Sequence, residues 1–158
     1  MGLAFVSLLV AAPTADAGSK RPVAVRQSMT VAASPQAASA HPVRLAMTLH
    51  YQMQCGYPGS GPLVVTFPEA LRLPRRLVAG AVHLAGKPVA TTVKGRRVTM
   101  MIAPPTGVLC TMVGPGSLRL VFTRRAKLAN PGRPGSYRFT VDHTTHRFTA
   151  MLTIRPAG

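Results

Sequence analysis

From Val43 to Gln54 apolar and polar residues alternate without a break: Val43, Leu45, Met47, Leu49, Tyr51 and Met53 are separated by Arg44, Ala46, Thr48, His50, Gln52 and Gln54. A β-strand points successive side chains to opposite faces, so a period of two writes one dry face and one wet face. The C-terminal third repeats the pattern. Leu118, Leu120 and Phe122 alternate with Arg119, Val121 and Thr123, and Tyr137, Phe139 and Val141 are followed by Phe148, Ala150, Leu152 and Ile154 across Asp142-His143-Thr144-Thr145-His146. Strands with one buried face belong to packed antiparallel sheets, which leave function to loops, edges and the outer faces.

Between these stretches the apolar runs are short and closely punctuated. Leu63 to Phe67 ends at Pro68, and Glu69 to Arg76 is open between one turn of helix and an extended crossover. Ala81 to Leu84 and Pro88 to Val93 flank Ala85-Gly86-Lys87, and Lys94-Gly95 precedes Arg97 to Ile102, which predicts two hairpins in succession. Val108 to Val113 is a further short strand, and Gly114-Pro115-Gly116 reads as a turn. Seven to nine short strands at this spacing favour a single all-β antiparallel sandwich over residues 43–156, a length that supports one core and not two.

Upstream, Leu3 to Ala12 is apolar and is followed by Ala15-Asp16-Ala17, a small-x-small cleavage pattern, so residues 1–17 read as a secretory signal peptide. The run is too short to cross a bilayer, which takes roughly 20 residues. No basic residue precedes Lys20, which is atypical of a signal. Residues 18–42 are rich in Ala, Ser and Pro with little periodicity and are expected to be a flexible leader. The mature chain would be secreted, extracellular or held in the cell envelope, with no membrane span after cleavage.

In such a compartment Cys55 and Cys110, each at the end of an apolar run, are expected to form a disulfide. A loop of that size restricts the unfolded chain by about 4 kcal/mol in the chain-entropy treatment. A metal pair or two buried thiols are the alternatives, and neither has supporting ligands at close spacing.

The chain carries 19 Lys and Arg against 3 Asp and Glu, a formal charge of +16, and loss of Asp16 with the signal raises it by one. A surface of this sign attracts acidic envelope polymers, anionic headgroups and nucleic acid. The enrichment in Ala, Gly, Pro, Val and Arg is also what a high-GC genome imposes, so charge alone does not identify a ligand.

The order of segments resembles a known family. A strand ending in Phe67-Pro68, a Leu73-Pro74 step, Val82-His83-Leu84 with a Gly turn, Val98 running into Pro104, and Leu128-Ala129-Asn130-Pro131 followed by Gly135-Ser136-Tyr137 resemble the immunoglobulin-like domains of bacterial cell-surface and surface-layer proteins. The Asn-Pro start, a Gly135 free to take positive φ, and a Tyr137 whose ring is buried while its hydroxyl meets backbone give that turn a physical sense. The resemblance implies a spacer or adhesion module. The chain departs from larger members in having one domain, no sortase signal and no C-terminal apolar anchor, and it lacks the core Trp of antibody domains.

Chemistry narrows the function further. Glu69 and Asp142 are the only carboxylates after the signal, and Asp142-His143 beside Thr144-Thr145-His146 reads as a polar hairpin turn whose adjacent side chains diverge, so no enzyme and no cofactor are expected. A copper site built on His50 and Met53, with Cys55 near, is an alternative because soft sulfur and imidazole suit Cu(I). A strand, however, points Met53 and His50 to opposite faces, and the Met residues read better as core.

Three arginine pairs remain, Arg75-Arg76, Arg96-Arg97 and Arg124-Arg125, each beside a turn or strand end. Brought to one end of a sandwich they would bind anions, because guanidinium groups hold carboxylate or phosphate in bidentate fashion. The expected partner is an acidic cell-envelope polymer or a surface protein. Nonspecific polyanion or nucleic-acid binding is an alternative, without specific recognition, since no reading helix or aromatic platform is present.

Overall fold

A computed structural model of the 158-residue chain describes residues 27–54, 56–104 and 112–158. The elements in order are β1 (Ser28–Ser34), β2 (Arg44–Gln54), β3 (Gly61–Thr66), β4 (Val82–Leu84), β5 (Lys87–Pro88), β6 (Thr92–Lys94), β7 (Arg97–Ile102), β8 (Val113–Phe122), a single 3-10 turn (Arg124–Ala126), β9 (Gly135–His143) and β10 (His146–Ile154). They form two five-stranded antiparallel sheets, in the orders β1-β2-β8-β4-β5 and β10-β9-β3-β7-β6. The sheets pack face to face as a β-sandwich, the arrangement that hides the apolar face of each.

The alternation of β2 is realised residue by residue. Val43, Leu45, Met47, Leu49, Tyr51 and Met53 are all buried, while Arg44, His50, Gln52 and Gln54 are exposed. Leu118, Leu120 and Phe122 of β8 continue the inner face of this sheet, and Leu63, Val65, Val98, Met100, Phe139, Val141, Phe148 and Leu152 form that of the other. Each such side chain contributes roughly 1.5–3 kcal/mol on leaving water. Among the described residues no helix is long and apolar enough to cross a membrane.

Four expectations need correction. The leader does not extend to residue 42: Ser28–Ser34 is a strand paired with β2 from Ser28↔His50 to Ser34↔Arg44, and Met29 and Ala33 enter the core. Small residues had muted its alternation. Gly114-Pro115-Gly116 is not a turn but the straight first half of β8, paired with β2. Pro115 is tolerated there because β4 covers β8 only at Leu120–Phe122, so no second neighbour requires its missing N–H. Gly116 leaves room for Met53: a Cβ on it would lie 2.5 Å from Sδ, so the Met53 side chain would have to shift. The run expected as one strand from Pro88 to Val93 is divided, with β5 in one sheet and β6 in the other. The core reading of the methionines holds for Met47, Met53 and Met100 but fails for Met101, Met112 and Met151, which are exposed. Met101 follows a buried Met100 on the same strand and so must face out.

The Glu69 to Arg76 segment belongs to a strandless connection that buries Leu71 and joins Arg72 to Ala129 by a backbone bridge. Cys55 and Cys110 lie outside the described residues, as do the signal and the first part of the leader. Gln54, next to Cys55, pairs with Val113, three residues after Cys110.

Candidate functional site

The registers give the sandwich two distinct ends. At one, β2 and β7 finish and β3, β8 and β10 begin, and at the other β3, β6 and β8 finish and β2, β4, β7 and β9 begin. Every described Lys or Arg except Lys87, Arg119, Arg138 and Arg147 lies on a strand terminus or connection at the second end. All six paired arginines are there. Arg75 and Arg76 line a groove with Thr91, Thr92 and Val93 beside β6, whose turn into β7 carries Arg96 and Arg97. The Arg125 guanidinium lies 3.5 Å from where a Cβ on Gly80 would stand, in the same connection as Arg76. None of the six forms an ion pair, since the single salt bridge among the described residues joins Arg147 Nε to Asp142 Oδ1 at 2.6 Å, at the opposite end. That hydrogen bond raises the affinity of Arg147 for its proton.

A second cationic feature at this end was not visible as a motif. A cleft of about 470 Å3 is lined by Arg72, Lys127, His41, Asn130, Leu73 and Pro74 among others. Lys127 holds φ 50°, a left-handed conformation that costs a non-glycine residue roughly 1–2 kcal/mol, and its N–H closes the preceding 3-10 turn on Arg124 O at 3.0 Å. Asn130 is more than a turn former. It is buried, and its amide donates to Pro35 O at 2.9 Å and Ala37 O at 2.8 Å, clamping the segment after β1 against the turn before β9. Tyr137 is half-buried and its hydroxyl donates to Arg133 O at 2.7 Å, closing the same turn from its far side.

The other end inverts this plan. Met101, Met112 and Val113 are exposed there, and Tyr57 donates a hydrogen bond to Ala103 O. Beneath lie Tyr51, His143, His146 and Phe148, with Tyr51 centred 5.4 Å from His146 and 5.2 Å from Phe148. His143 was expected in a polar turn, yet it is wholly buried, because β9 runs to His143 and leaves only Thr144-Thr145 in the turn. Its Nδ1 is 3.5 Å from the Tyr51 hydroxyl, which also donates to Pro58 O at 3.3 Å, and its Nε2 has no hydrogen-bond partner. Burial first, and His146 second, lower the pKa of His143. Burial, with Tyr57 adding to it, pushes Tyr51 up to about 12. Asp142 is committed to Arg147, so it does not orient the imidazole as a base would require.

His50 is exposed on the outer face of β2 while Met53 is buried against Gly116, so the strand separates the two candidate copper ligands, as its alternation predicts. No group of three His, Cys, Asp or Glu side chains among the described residues is placed to hold a metal ion.

No family model matches the chain, and no curated protein matches its sequence. Among solved structures the chain is similar to BslA, described as a bacterial hydrophobin, with a TM-score of 0.53 and 12% identity over 84% of this chain and 100% of that one. At that identity the likeness is one of fold: a two-sheet antiparallel β architecture.

Proposed function

We propose that this protein is a secreted, noncatalytic cell-envelope or extracellular module, an immunoglobulin-like sandwich that docks on an acidic partner through its basic end. The observation that carries the reading is the gathering of Arg75, Arg76, Arg96, Arg97, Arg124 and Arg125 at one end with no carboxylate paired to them. Unneutralised guanidinium groups on strand ends form a field that steers and holds a polyanion. The test is a salt titration of the protein on immobilised dextran sulfate and on isolated envelope. Binding is expected to fall steeply with salt, and Arg75→Ala/Arg76→Ala with Arg124→Ala/Arg125→Ala to weaken it about tenfold or more, since each charge-assisted contact contributes about 1.5–3 kcal/mol. Salt-insensitive binding that ignores these variants defeats the reading.

A second reading is attachment to an apolar phase through the opposite end. It is supported by the exposed Met101, Met112 and Val113 and by the similarity to a protein described as a bacterial hydrophobin. Adsorption at an air–water interface that is unchanged in Met101→Gln/Val113→Thr removes it.

A further inference from the structure

We propose that the cleft at the Asn130-Pro131 turn receives a uronate-type unit, a sugar ring bearing a carboxylate, from an acidic polysaccharide. The proposal rests on the polyanion-docking reading and narrows it to one ligand class at one place. At about 470 Å3 the cleft falls within the range of roughly 300–1,000 Å3 typical of small-molecule sites.

Its first unmet demand is for negative charge. Arg72 and Lys127 meet there and no Asp or Glu lines the cleft, while the one salt bridge among the described residues lies at the far end of the sandwich. Both cations stand on braced backbone. Arg72 and Ala129 exchange two N–H···O bonds of 3.2 Å, and Lys127 is fixed by its left-handed turn. Bracing of this kind fixes where each side chain leaves the backbone, so the backbone itself need not be ordered on binding.

The second demand is for hydrogen-bond donors. Asn130 is 3% exposed, both of its amide hydrogens are given to Pro35 and Ala37 carbonyls, and that fixes its orientation so that Oδ1 is the atom left without a partner. The exposed His41 ring stands at the rim, its Nδ1–H donating to Leu128 O at 3.2 Å. A phosphate or sulfate ester answers the charge alone. A hydroxyl-rich ring with a carboxylate answers both demands, and Leu73 and Pro74 supply an apolar wall for its C–H face.

The test uses the full chain with trigalacturonate, the neutral maltotriose, inorganic pyrophosphate and dextran sulfate as probes. Trigalacturonate is expected to bind and maltotriose not to. Arg72→Ala and Lys127→Gly should each weaken trigalacturonate about tenfold, and Arg119→Ala, a charge on the outer face of β8, should leave it unchanged. Lys127→Gly removes the charge at a left-handed position that glycine adopts freely, so its melting temperature should not fall and lost binding there is not lost folding. Dextran sulfate binding that depends on the Arg75-Arg76 and Arg124-Arg125 pairs, with trigalacturonate ignored, overturns the cleft assignment and leaves the docking reading standing. Pyrophosphate binding as tight as trigalacturonate overturns the sugar assignment, and failure of both trigalacturonate and dextran sulfate to bind overturns both readings.

Discussion

The two ends of the sandwich are built on opposite plans. At the basic end the surface is charged and the core beneath is aromatic and aliphatic apart from the buried amide of Asn130: Phe67 meets Phe122 and Phe139 edge to face at 5.1 and 5.7 Å. At the other end the surface exposes Met101, Met112 and Val113, and the layer beneath holds Tyr51, His143 and His146. Arginine keeps its charge at any working pH, whereas a buried imidazole does not tolerate one. Docking through arginine therefore rests on a charge that does not titrate, while the buried imidazole of His143 sets a pH-sensitive group beneath the opposite end.

The largest effect expected is at the basic end. Phe67→Ala removes the ring shared by two aromatic contacts and should cost about 3–5 kcal/mol, read as a shift in the denaturant midpoint. A loss under 1 kcal/mol would show that this core is not what supports the charged rim. At the opposite end Gly116→Ala sets a methyl against Met53 and should cost roughly 1–3 kcal/mol, recovered in part by Met53→Ala in the double variant.

Acidification separates the ends more finely. His143 has a folded-state pKa below its unfolded value, so the unfolded chain binds a proton the native state refuses. The stability it lends is fully present above the ordinary value of 6.5 and is lost as pH falls from there toward the lowered pKa, by up to about 1.4 kcal/mol per pH unit for one proton. His143→Phe should flatten that slope in thermal melts between pH 7 and 5, while Arg124→Ala/Arg125→Ala leaves it in place. The smallest expected effect is Tyr137→Phe, which removes the hydrogen bond to Arg133 O and should cost about 0.5–1.5 kcal/mol without altering the pH slope.

Much of the fold was legible because a strand's period of two survives in the chain wherever the apolar residues are large. β2, the second half of β8, most of β9 and β10 could be placed from the alternation of their large apolar residues. β1 could not, since Met29, Val31 and Ala33 stand among Ser, Thr and Ala with little contrast, and its order comes from pairing with β2. Gly114-Pro115-Gly116 misled because its local turn chemistry is overridden by ten consecutive pairs between β2 and β8. His143 misled because the tightness of a two-residue turn decides whether a flanking side chain is in or out.

By itself, then, the sequence determined the all-β class, the inward faces of the long strands, the excess of positive charge and the poverty of carboxylates. These follow from side-chain size, polarity and alternation, which are local. Only the tertiary structure decided that the arginine pairs share one end, that Arg72, Lys127, His41 and Asn130 surround one cleft, and that Tyr51 meets His143 and His146. Those neighbours are far apart along the chain, and what joins them is the register of antiparallel strands, a property of pairs of segments that no single segment carries.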